Sequence, residues 1–139
     1  MDRFSIVLVN YKTRRLTAIC LELIRSHFGP DDVDVIVVDN ESADDSVEYL
    51  RSLDWITLIE RSPGGPEEGH FAHGRALDLA LQQVRTRHLF CFHTDTFLHD
   101  PAIIRMMLVH MVEGVVAVGT TEQVQRAWHS TAWRAFRRG

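Results

Sequence analysis

Apolar residues along this chain come in two alternating rhythms. Ser5-Ile6-Val7-Leu8-Val9, Val33 to Val38 and His88 to Phe92 are short, nearly unbroken hydrophobic runs. Runs of that length without polar alternation fit strands covered on both faces. Between them, Leu16, Ile19, Cys20, Leu23 and Ile24 recur at helical spacing, as do Ala76, Leu77, Ala80, Leu81 and Val84. These predict helices over Thr13 to His27, ended by Gly29-Pro30, and over Ala72 to Val84. Ser42-Ala43-Asp44-Asp45-Ser46 reads as a helix start, with Ser42 as N-cap and acids in the first turn. Trp55 to Ile59 is a third strand, and the turn-rich stretch Arg61 to Phe71 a loop. Pro101 opens a last helix through Met111, and Val115 to Val118 is a fifth strand. Alternating strands and helices predict an α/β fold, with a mainly parallel sheet and helices on both faces.

Composition narrows this little. The 139 residues suit one domain, and 45% hydrophobic with 24% charged is an ordinary globular balance. A formal net charge of -4 argues against a nucleic-acid binder, which usually shows a basic footprint. Cys20 and Cys91 sit in apolar stretches and are expected to be buried free thiols, which suits a reducing cytoplasm. Met1-Asp2-Arg3 runs straight into strand-like sequence, so no signal peptide is expected there. A cytoplasmic location is the expectation.

The chemistry gathers where strands end. In an open parallel sheet, ligands bind outside the carboxyl ends of the strands. Asn10-Tyr11 follows the first strand, Asp39-Asn40-Glu41-Ser42 the second, and His93-Thr94-Asp95-Thr96 the fourth. A carboxylate at Asp39 can accept two hydrogen bonds from a diol or a base edge. Asp95 is a lone carboxylate, which suits Mg²⁺ or Mn²⁺ when phosphates complete the shell, and an imidazole from His93 favours Mn²⁺. Arg75, near the start of the third helix, can meet a diphosphate. The first strand is followed neither by a Gly-rich dinucleotide fingerprint nor by a P-loop.

In four segments the chain resembles an inverting family 2 glycosyltransferase with the GT-A fold. They are Ser5 to Tyr11; Val37-Val38-Asp39-Asn40-Glu41-Ser42-Ala43-Asp44-Asp45-Ser46; Gly69 to Ala80; and Phe90 to Pro101. The resemblance implies a Rossmann-like GT-A half over 1–120 that binds a nucleotide-diphosphate sugar with Mn²⁺ or Mg²⁺. Carried over by position, Asn10, Tyr11, Asp39, Asn40, Arg75 and His93 are nucleotide-binding and Asp95 is the metal contact. Asp95 matches the last acid of the family's Asp-x-Asp motif, and His93 stands where the first acid would be. The catalytic base, which the family's acceptor-binding half supplies, matches nothing in this chain and stays unassigned. A module that binds a nucleotide sugar without turnover is the alternative. Residues 121–139, with Trp128, Trp133 and Phe136 among arginines, read as a basic amphipathic tail. Such a tail suits a membrane surface, a partner or self-association.

Overall fold

The computed structural model describes residues 2–119. The tail lies outside the described residues. The elements run β1 (Phe4–Asn10), α1 (Arg14–His27), β2 (Val33–Asp39), α2 (Ser46–Arg51), β3 (Ile56–Glu60), α3 (Gly69–Leu81), β4 (His88–Phe92) and α4 (Ala102–His110). The four strands form one all-parallel sheet in the order β3-β2-β1-β4. By contact the chain divides into Met1–Arg105 and Met106–Gly139. The sheet and its carboxyl edge belong to the first unit.

Every residue of β1 is buried, as its unbroken apolar run requires of a central strand. One face carries Val7, Val9, Ile36 and Val38, packed against Ala76 and Ala80 of α3. The other carries Phe4, whose ring meets Phe28, just beyond α1, and Phe90 of β4 edge to face. Cys20, Leu21 and Ile24 of α1 are fully buried. The expected α/β architecture with helices on both faces is therefore present.

Three expectations give way. Val115 to Val118 forms no strand: among the described residues it pairs with none, and Val115 N bonds locally to Val112 O. A strand exists only through a ladder, and apolar composition alone does not supply one. Ser42 does not cap α2, which starts at Ser46 after Asp45. Glu41 and Ala43 on either side of Ser42 have φ of 61° and 51°, a left-handed backbone that cannot continue into a helix. Cys91 is exposed rather than buried. It lies beside Val7 on the face that α3 covers. However, α3 packs mainly on β1 and β2; Leu89 of β4 reaches that core, but Cys91 stands outside it at the end of the sheet.

The two thiols should therefore react differently. Burial, above all, pushes the Cys20 thiol up to about 12, and desolvation raises that of Cys91 less. A thiol-disulfide reagent should label one cysteine of the native protein, faster as pH rises, and the second only in denaturant. Cys91→Ser should remove the native reaction. Rapid native labelling of two thiols would show that Cys20 is not sealed.

Candidate functional site at the carboxyl edge of the sheet

Asn10 and Asp39 end neighbouring parallel strands in register, and together they hold the strand-end loops. Asn10 is fully buried and uses both ends of its amide. Its Oδ1 accepts from Thr13 Oγ1 at 3.0 Å and Thr17 Oγ1 at 2.7 Å, which ties down the start of α1. Its Nδ2 donates to Asp39 Oδ1 at 2.7 Å and to Ser42 Oγ at 3.0 Å. Asp39, 2% exposed, also accepts from Ser42 Oγ at 2.6 Å and Ser42 N at 3.1 Å. Ser42 Oγ in turn accepts the main-chain N–H of Lys12. Lys12, with φ 55°, joins Glu41 and Ala43 as the non-glycine residues with positive φ among the described residues. Each such residue costs about 1–2 kcal/mol, and such strain clusters where structure serves a ligand. Here the buried network offsets it.

Above this layer opens a cleft of about 640 Å³. Tyr11 and Thr13 bound it after β1, Asn40 and Glu41 after β2, and His93 and Thr94 after β4; Val9 is at its base. The segment from Arg61 to Gly69 and His73 of α3 complete it. Arg61 and Glu67 form an ion pair with side chains only 8% and 12% exposed. Arg61 Nη1 donates to Asn40 Oδ1 at 2.7 Å, and Glu67 also receives the guanidinium of the exposed Arg75. Glu67 is thus held below the ordinary glutamate range, first by the Arg61 hydrogen bond and then by Arg75.

That lowered value fixes the sign of an acid effect. A carboxyl that titrates lower when folded adds stability above its unfolded value, and loses it as pH falls through the folded one. The loop should therefore loosen below about pH 4, seen as falling thermal stability and earlier proteolysis within 61–69. Glu67→Gln should flatten this acid limb. An unchanged limb in that variant would remove Glu67 as its cause.

At the fourth strand end, His93 Nδ1 bonds Asp95 Oδ1 at 2.6 Å, and both side chains are exposed. Asp95 Oδ2 has no protein partner among the described residues. No group of three or more metal-ligating side chains occurs among them either. One carboxylate oxygen beside one imidazole fits a cation that takes its remaining ligands from phosphate and water.

Of the residues singled out by sequence, Tyr11, Asn40 and His93 line the cleft. Asn10 and Asp39 lie beneath it, Arg75 is joined to it through Glu67, and Asp95 follows its wall. The strands that lead to Asp39 and Asp95 flank β1, so both acids lie at one edge, on strands about 10 Å apart. Sequence reasoning missed Arg61 and Glu67, and it placed Thr94 at the strand end without a role of its own. Arg61 and Glu67 sit in turn-rich sequence with no periodicity to place them.

A sequence model described as glycosyl transferase family 2 matches residues 5–138. No curated protein matches. Among solved structures, the chain is similar to the mannosyltransferase PcManGT from Pyrobaculum calidifontis in complex with GDP-Man and Mn²⁺. Identity is 21%, TM-score 0.55, with 72% of this chain and 33% of that one covered. It is also similar to TarS 1-349 of S. aureus, at 18% identity and TM-score 0.59, covering 90% and 40%. The same protein in complex with UDP-GlcNAc gives 18% and 0.58, covering 90% and 38%. The chain thus spans between 33% and 40% of the length of these structures. The likeness establishes the fold, a Rossmann-like half of the GT-A kind.

Proposed function

Because the chain belongs to glycosyl transferase family 2, we propose that it supplies the nucleotide-sugar-binding half of an inverting glycosyltransferase. The observation that carries this is the cleft itself. It lies at the carboxyl edge, has a volume suited to a small ligand, and brings Tyr11, Asn40 and His93 together. The half-exposed ring of Tyr11 offers a flat face to a base. Asn10 and Asp39 frame the pocket from below. Arg75 keeps donors to spare beyond its Glu67 bond, and these can meet a diphosphate.

Asp95 and His93 would hold a divalent cation, Mn²⁺ or Mg²⁺, which when bound neutralises the leaving diphosphate. The mannosyltransferase relative, with GDP-Man and Mn²⁺, supports that use. Asp95 Oδ2 is the free carboxylate oxygen for it, and His93 keeps the other oxygen oriented. Transfer further needs a base that removes the acceptor hydroxyl proton. Glu67, a cleft acid, is unsuited because two arginines hold its carboxyl low.

Calorimetric titration of UDP and GDP with Mn²⁺ tests the proposal. Binding of at least one nucleotide at sub-millimolar concentration is expected. Absence of any binding at about 1 mM, a weak-ligand affinity, would reject it. No helix among the described residues is long and apolar enough to cross a membrane.

A further inference from the structure

The end of β2 presents two polar side chains in succession, and the fold gives them opposite fates. Asp39 is sealed: its carboxylate is taken up by Asn10 and Ser42, and it is 2% exposed. Asn40 is the next polar side chain from this strand, and it lines the cleft.

The orientation of an asparagine amide is usually ambiguous, because oxygen and nitrogen look alike. Here chemistry decides it. A guanidinium has only donors, so the 2.7 Å bond from Arg61 Nη1 must end on Asn40 Oδ1. Arg61 is itself fixed, with its side chain 8% exposed against Glu67 and its main-chain N–H on Asp39 O at 2.9 Å. The amide nitrogen of Asn40 is then the end left over. It has no protein partner among the described residues, and it is not one of the buried atoms lacking a partner, so it reaches solvent.

We infer that Asn40, with its amide locked by Arg61, reads the nucleobase as a hydrogen-bond donor and selects nucleoside diphosphates whose base carries a keto oxygen there. The inference rests on the nucleotide reading above. Uracil O4 and guanine O6 accept a hydrogen bond, whereas cytosine N4 and adenine N6 carry amino hydrogens. Against those bases the Asn40 NH₂ group meets another donor, and a desolvated donor is left unpaired. Arg61 acts as a positioning residue: it touches Asn40, not the base.

The experiment is a calorimetric comparison of UDP, GDP, CDP and ADP, each with Mn²⁺, on the 139-residue chain and three variants. The wild-type chain should bind UDP or GDP at least about tenfold tighter than CDP and ADP. Asn40→Asp is nearly isosteric and keeps an oxygen for Arg61, but it replaces the donor with an acceptor. It should erase the keto preference or reverse it. Arg61→Met frees the amide to turn over and should bring the affinity ratio toward one, and Arg61→Lys should restore part of it. A merely structural role would weaken all four nucleotides by a common factor and leave the ratio alone. Thermal melts of each variant confirm folding.

Equal binding of the wild type's preferred keto nucleotide and its amino counterpart, UDP with CDP or GDP with ADP, would overturn the inference, since the contact would then be to a group the two bases share or to the ribose. A keto preference that survives in Asn40→Asp would also overturn it. In both cases nucleotide binding itself stands. Failure of every nucleotide to bind would instead overturn the parent proposal, and this inference with it.

Discussion

Asp39→Ala is expected to destabilise the domain by about 3 kcal/mol and to lower its melting temperature by about 10 °C. The same change should abolish nucleotide binding. The carboxylate receives three hydrogen bonds in a site from which water is excluded. Alanine leaves Asn10 Nδ2 with one partner and leaves Ser42 N without this one. Unpaired buried donors cost about 1–3 kcal/mol each. The damage extends beyond the deleted contacts. Lys12, Glu41 and Ala43 hold left-handed backbone at φ 55°, 61° and 51° beside this network. Once Ser42 is released, these residues can relax, and Tyr11, Asn40 and Glu41 lose their places around the cleft. Chemical denaturation and calorimetry on one preparation separate the two effects. A melting temperature within about 2 °C of wild type would mean a loss of under 1 kcal/mol, and the network would then not be what holds the loops.

Removing Mn²⁺ with a chelator is expected to weaken nucleoside diphosphate binding about a hundredfold, and Asp95→Asn should produce the same loss while metal is present. The substitution is chosen for what it preserves. A carboxamide oxygen can still accept from His93 Nδ1, so the local geometry at 2.6 Å can persist while the charge is gone. In chelator, wild type and Asp95→Asn should bind alike, because the carboxylate has no cation to hold. A loss of equal size with and without metal would assign Asp95 to the nucleotide or to the loop instead.

Much of the frame was legible because burial on both faces leaves a plain trace. The runs at β1, β2 and β4 have no polar alternation, and the structure places all three as adjacent strands. The same signal misled at Val115 to Val118, where an apolar run pairs with no strand. It also misled at Cys91, whose neighbours are apolar but which stands at the end of the sheet, outside the core under α3. The start of α3 was set three residues late, because Gly69 resembles the loop before it more than a helix.

At the site, strand-end position was enough to find Tyr11, Asn40 and His93. Depth was not legible. Asp39 and Asn40 are adjacent polar residues, and only the fold shows one sealed and the other open. Arg61 was invisible for a related reason. Its partners Asn40 and Glu67 lie 21 and 6 residues away across a turn-rich segment, and no local pattern announces such contacts.

The most direct measurement is a nucleotide titration followed by amide NMR on the 16.0 kDa chain, with UDP and GDP in turn and Mg²⁺ as the diamagnetic cation. The amides of Tyr11, Asn40, His73, His93 and Thr94 should shift together and saturate with one affinity, while those of the amino edge, at Phe4, Val33 and His88, stay still. Shifts confined to other surfaces, or none at millimolar nucleotide, would contradict a nucleotide site at this edge of the sheet.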